Sequence, residues 1–129
     1  MTNQVGGPTK SFKAGADLSA KRYYIVKLDT VQSTVVLASA ASDYLIGTLE
    51  NAPKAGENAS VLLRSGGMTG KVKTGGSGSA GAFLTADSAG KAVATTTVGQ
   101  EVFGRALKDF TSGDVVEYTP HSGKYAATS

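Results

Sequence analysis

The apolar residues of this chain fall in short runs separated by Gly, Ser and Thr, a pattern that predicts many short strands rather than long helices. Arg22 to Leu28 (RYYIVKL) places Tyr24, Val26 and Leu28 on one face and Tyr23, Ile25 and Lys27 on the other, the period of a strand. Asp29 to Gln32 reads as a hairpin loop into a second strand, Ser33 to Ala38. A small polar stretch, Ala38 to Asp43, has room for one helical turn before Tyr44 to Glu50 extends again. Asn51-Ala52-Pro53 turns the chain, because proline fixes φ and disfavours a helical residue before it. Ala59, Val61 and Leu63 then alternate with Ser60, Leu62 and Arg64 as a half-buried strand.

Past Ser65-Gly66-Gly67, Thr69 to Thr74 sets Val72 inward with Lys71 and Lys73 outward. Gly75 to Gly81 (GGSGSAG) is too polar to pack and reads as a mobile turn. Ala82 to Thr85 and Lys91 to Thr95 flank Asp87-Ser88-Ala89-Gly90 as a hairpin, and Glu101 to Leu107 with Asp114 to Pro120 complete an all-β core. The same pattern occurs twice. Gly47 and Gly56 in one segment, and Gly104 and Gly113 in the other, share one spacing (56 − 47 = 9 and 113 − 104 = 9) between two strand-like runs. A second echo sets Ala14-Gly15-Ala16-Asp17-Leu18 against Ala80-Gly81-Ala82-Phe83-Leu84. Together they predict two related half-domains with Gly47 and Gly104 in equivalent strand positions, where a glycine marks a bulge or a close backbone approach.

Composition removes several kinds of chemistry. The 129 residues suit one domain, and with no Cys and one His, His121, neither a disulfide framework nor a thiolate or histidine metal site can be built. No apolar run reaches the roughly 20 residues of a membrane-spanning helix, and the N-terminus lacks a secretory pattern. Gly70-Lys71 fails as a phosphate loop, since Ser65 stands where its first glycine belongs, Val72 replaces the hydroxyl, and a strand follows. His121 has no serine in an elbow to activate, Asp114 and Glu57 each follow a turn glycine, and Glu50 and Glu117 form no evident carboxylate pair. The expectation is no enzyme, no cofactor and no bound metal. Tyr23 and Tyr24 among basic residues read as packing rather than a nucleic-acid platform.

Charge divides the chain unevenly. Net charge is +3, yet Lys10, Lys13, Lys21, Arg22 and Lys27 against Asp17 make the part through Leu28 +4. Such a start is either ordinary solvated lysine or a surface for an acidic partner. Met1 to Ser11 is polar, with Val5 its one branched apolar residue and Gly6-Gly7-Pro8 a hinge, so it cannot order itself by burial. The expected organisation is a flexible arm over 1–13, one β domain over 14–120, and a surface tail over 121–129, with the core folding even without Met1 to Lys10.

Ala14-Gly15-Ala16-x-Leu18, the strand ending in Val26-Lys27-Leu28, Ile46-Gly47-Thr48-Leu49-Glu50-Asn51-Ala52, Ala55-Gly56-Glu57, Gly104-Arg105-Ala106-Leu107 and Gly113-Asp114-Val115-Val116-Glu117 together resemble the small capsid decoration, or cement, proteins of tailed bacteriophages. The resemblance spans residues 12 to 119 and rests on glycine and apolar positions. It implies a compact β-sandwich or barrel-like domain of β-tulip type, similar in architecture to the lambda head-decoration protein. It further implies homotrimers at local three-fold positions on the outer face of the major capsid protein shell, on virions assembled in the host cytoplasm, without nucleic-acid or membrane partners. The arm residues Val5, Gly6, Gly7, Pro8, Thr9, Lys10, Phe12 and Lys13 would carry the capsid contact. The competing reading is a host- or glycan-binding module displayed on a virion or cell, against which the lack of Trp and of an aromatic stripe argues.

Overall fold

The computed structural model describes residues 9–65 and 68–126. They form ten strands: β1 (Thr9–Ala14), β2 (Ile25–Leu28), β3 (Thr34–Leu37), β4 (Leu45–Leu49), β5 (Asn58–Leu63), β6 (Gly70–Lys73), β7 (Phe83–Ala86), β8 (Ala92–Ala94), β9 (Glu101–Ala106) and β10 (Val115–Lys124). The first five close a barrel in the order β1-β3-β2-β4-β5, and the last five make a sheet in the order β6-β10-β9-β7-β8. The chain is all-β, as its patterning predicts. The stretch 38–43 is a turn rather than a helical one, because the Asp43 carboxylate accepts the Ser39 and Ala40 N–H groups at 2.8 and 3.0 Å.

The two sheets repeat one construction, pair by pair. Gly47 lies opposite Leu63 on one side and Val26 on the other; Gly104 lies opposite Pro120 and Leu84. Leu49↔Val61 recurs as Ala106↔Tyr118, Val26↔Leu37 as Leu84↔Ala94, and Lys13↔Asn58 as Lys73↔Val115. The parallel seam recurs in part: Ala14↔Val35 closes the barrel of the first half, and a single parallel bridge, Thr74↔Ala92, stands in its place in the sheet of the second. Left-handed backbone follows the same register, with φ of 73° at Tyr23 and 88° at Gly81, 58° at Ser33 and 79° at Gly90, and 82° at Gly56 and 94° at Gly113.

That register corrects the second echo read from the sequence. Ala80-Gly81-Ala82 occupies the place of Arg22-Tyr23-Tyr24, and Ala14 matches Thr74. Runs of Gly and Ala recur by composition, whereas ladder hydrogen bonds fix which residues correspond.

Inside the first barrel Ala14, Leu18, Val26, Val35, Leu49, Ala59 and Val61 form one apolar cluster, with Phe12, Leu37, Ile46 and Leu63 packed against it. The other cluster belongs to both halves: Ile25, Ala38, Leu45 and Leu62 of the first meet Val72, Leu84, Phe103, Val116 and Tyr118 of the second. Volume is redistributed rather than lost. Tyr118 and Ala106 fill the places of Val61 and Leu49, and Gly78 takes the place of Leu18 so that the Phe110 ring can enter, its Cζ 2.5 Å from where a Cβ would stand. Gly75 to Gly81 is therefore not the mobile turn its composition suggests, since Gly78 exchanges backbone bonds of 3.0 and 2.9 Å with Phe110.

Three contacts lock the halves together. In the first barrel the Lys13 N–H donates to Ser33 O at 2.9 Å; the matching pair, Lys73 and Gly90, is held apart by residues 23–25, with Lys73 N–H donating to Tyr23 O (2.9 Å) and Ile25 N–H to Gly90 O (2.8 Å). The buried Tyr118 hydroxyl meets Thr48 Oγ1 at 2.6 Å. Arg64, nearly buried, pairs with Glu101 at 2.7 Å and donates to Val102 O at 2.9 Å.

Both expected termini contain strand. Thr9 to Lys13 is not a free arm but most of β1, which pairs with β5 from Thr9↔Leu62 to Lys13↔Asn58, so deletion to Lys10 would cut into the barrel wall. The polar composition conceals this strand, because most of its side chains are exposed while its backbone is paired. Likewise His121 to Lys124 continues β10 beyond Pro120 through a register shift at Gly123 (φ 135°), and the His121 and Tyr125 rings meet Phe83 edge-on, each with centroids 5.4 Å apart.

Glycines 47 and 104 are demanded by space. A Cβ at Gly47 would lie 1.9 Å from Leu62 O, and one at Gly104 would lie 2.7 Å from Thr119 O and 2.4 Å from the Tyr118 ring. Gly47→Ala should therefore cost about 3 kcal/mol or prevent folding, since a paired backbone cannot move aside. Gly56→Ala and Gly113→Ala, which face open space at positive φ, should cost only about 1–2 kcal/mol in urea denaturation. Burial pushes the Tyr118 phenol well above its ordinary 10.0, with the Thr48 bond pulling partly back and the Glu50 carboxylate adding to the rise. The neutral phenol is the form that folding favours, so its contribution is complete below pH 10 and is lost as the unfolded chain ionises above it, by at most about 1.4 kcal/mol per pH unit. Stability measured from pH 8 to 11 should bend downward near 10, and Tyr118→Phe should remove that bend.

Candidate functional site

Of the residues expected to contact a partner, Val5, Gly6, Gly7 and Pro8 lie outside the described residues. Thr9, Lys10, Phe12 and Lys13 all sit on β1. Strand alternation divides them. Ala14 points into the barrel and Phe12, on the same side, is half-buried against the first cluster, with the Lys10 ammonium 5.9 Å from its ring centroid. Phe12 thus serves the core, while Thr9, Lys10, Ser11 and Lys13 are exposed.

The edge of β1 is half open. Its contact with β3 begins only at Lys13↔Thr34, so among the described residues Thr9 to Phe12 pairs with β5 alone. Because Lys13 N–H points to Ser33 O, the peptide groups of Ser11 and Thr9 point to that same side, beyond the start of β3. The result is a short strand edge, flanked by Lys10 and Lys13, that leads directly toward residues 1–8. An unpaired edge of this kind can extend a sheet onto another chain.

Further basic residues are already engaged. The Lys21 ammonium lies 4.9 Å from the Tyr24 ring centroid and the Arg22 guanidinium 4.8 Å from that of Tyr23, while Arg22 Nε donates to Glu50 O at 2.9 Å. Tyr23 holds its strained φ because its N–H goes to Leu49 O and its carbonyl takes Lys73 N–H, which makes the Tyr23-Tyr24 pair part of the joint between halves.

Two of the acids considered from the sequence, Glu57 and Asp114, act as turn residues, while Glu117 lies within β10. Glu57 accepts the Lys54 N–H at 2.8 Å, and Asp114 accepts the N–H and hydroxyl of Thr111 at 2.9 and 3.1 Å. Among the described residues no group of three or more His, Asp or Glu converges as metal ligands would. Sequence reasoning missed β1 although Lys10, Phe12 and Ala14 alternate with Thr9, Ser11 and Lys13. It also missed Arg64–Glu101, whose two members stand far apart in the chain and carry no local signal.

No protein-family model matches the chain, and no curated protein matches it. Among solved structures, the fold is similar to the head fiber gp8.5 N base of bacteriophage phi29, with a TM-score of 0.70 and 18% identity over 92% of this chain and 98% of that one.

Proposed function

We propose that the protein is a structural protein of a phage head, which binds the outer surface of the assembled major capsid shell as trimers at local three-fold positions and stabilises it. The observation that carries this reading is the correspondence, over nearly the full length of both chains, with the base of a phage head fiber, joined to the resemblance in sequence to capsid decoration proteins. The open edge of β1 supplies a means of attachment. Residues 1–8 and Thr9 to Ser11 add as an extended segment to a sheet edge of a capsid subunit, while Lys10 and Lys13 face acidic side chains. A subunit that binds only the assembled shell stabilises it by its own binding free energy, and three such attachments per trimer reinforce one another through effective concentration.

Deleting residues 1–8, which spares β1, should leave the β core folded by circular dichroism. Binding to purified heads should weaken at least about tenfold, or roughly 1.4 kcal/mol. Binding of the full chain should also fall as salt screens Lys10 and Lys13 over about 8–10 Å, and Lys10→Glu/Lys13→Glu should remove most of that salt dependence. Equal decoration by the truncated and full chains at low and moderate salt would refute the attachment. Image reconstruction of decorated heads showing pairs at two-fold axes would refute the trimer, and glycan capture without head binding would favour a display module instead.

A further inference from the structure

The repeat exposes a site in the second half that the first half fills from within. In the first barrel the Asn51 side chain bridges two peptide groups of β5: its Nδ2 donates to Asn58 O and its Oδ1 accepts the Ser60 N–H, both at 3.0 Å. The matching residue after β9 is Lys108, since the segments between Gly47 and Gly56 and between Gly104 and Gly113 are equal in length and end in the same bonds, Glu50 N–H to Ser60 O and Leu107 N–H to Glu117 O. Lysine donates but cannot accept, so it cannot make the Asn51 bridge. Val115 O and Glu117 N–H, the counterparts of Asn58 O and Ser60 N–H, have no protein partner among the described residues. They border a cavity of about 320 Å³ walled by Lys71, Lys108, Asp109, Phe110, Val115 and Glu117.

We propose that this cavity receives the primary carboxamide of an Asn or Gln side chain from a partner polypeptide, in the pose that Asn51 takes in the first half. The chemistry selects it. A carboxamide offers one donor and one acceptor from a single planar group, matching Val115 O and Glu117 N–H, whereas a carboxylate, which Lys71 and Lys108 could attract, has no N–H to give Val115 O. An aliphatic side chain would displace water from both peptide groups and pair neither. Phe110 and the exposed Val115 side chain offer apolar walls for the methylene that carries the amide. The site stands whether or not the partner is a capsid subunit.

The test is an amide-resolved NMR titration of the full chain with the blocked tripeptides Ala-Asn-Ala, Ala-Asp-Ala and Ala-Leu-Ala. The Asn peptide should shift the Glu117 N–H in a saturable way, at least tenfold more tightly than either other peptide, and Lys108→Asn, which plugs the cavity from within, should abolish the response. Hydrogen exchange on the unmodified protein provides a second reading that needs no variant: Ser60 N–H should be protected and Glu117 N–H should not. Equal responses to the Asn and Leu peptides, no response at the solubility limit of the Asn peptide, or equal protection at Ser60 and Glu117 would each overturn the proposal.

Discussion

The backbone of residues 23–25 is the wedge on which this molecule depends. It enters the seam of the second half and takes the hydrogen bonds that Lys73 and Gly90 would otherwise give each other. A barrel whose seam is open leaves peptide groups unpaired in its wall, at about 1–3 kcal/mol for each buried one. Here the first half satisfies them, so the seam of the second half completes its hydrogen bonding only when the first is docked. The shared apolar cluster and the Tyr118–Thr48 contact follow from that docking, because the wedge brings Ile25 against Leu84 and Phe103 within one core. The cost is visible at Tyr23, a tyrosine in a left-handed conformation whose counterpart in the second half is Gly81.

Once locked in this way, the halves were free to differ at their surfaces. The first keeps its Asn51 plug and a closed barrel, and presents the strand edge of β1. The second replaces the plug with Lys108, leaves a cavity beside β10, and extends that strand past Pro120 to cover Phe83 with His121 and Tyr125. One construction thus carries two different surfaces. Glu57 and Asp114 sit in turns, and the single histidine packs on an aromatic ring.

Much of this was written in local pattern. Alternation of apolar and polar residues locates nine of the strands, since a strand half-buried in a sheet must alternate, and the equal spacing of Gly47–Gly56 and Gly104–Gly113 discloses the duplication. The glycines were legible because both jobs they do, a backbone approach too close for a Cβ and a turn at positive φ, exclude nearly every other residue. β1 escaped because its side chains are mostly exposed; what holds Thr9 to Lys13 is the ladder to β5, and backbone pairing leaves little trace in composition. For the same reason Gly75 to Gly81 looked mobile, although Phe110, more than two dozen residues away in the chain, holds Gly78.

The sequence by itself therefore determined the all-β class, nine of the ten strands and the two-fold repeat, all of which depend on residue type and spacing within a few positions. Tertiary structure alone decided which residues of the halves correspond, that a piece of the first half enters the seam of the second, that Arg64 meets Glu101, and that Asn51 fills a place which Lys108 leaves open. Each of these is a contact between segments distant in the chain, set by the geometry of hydrogen bonding and by the volume available in a shared core.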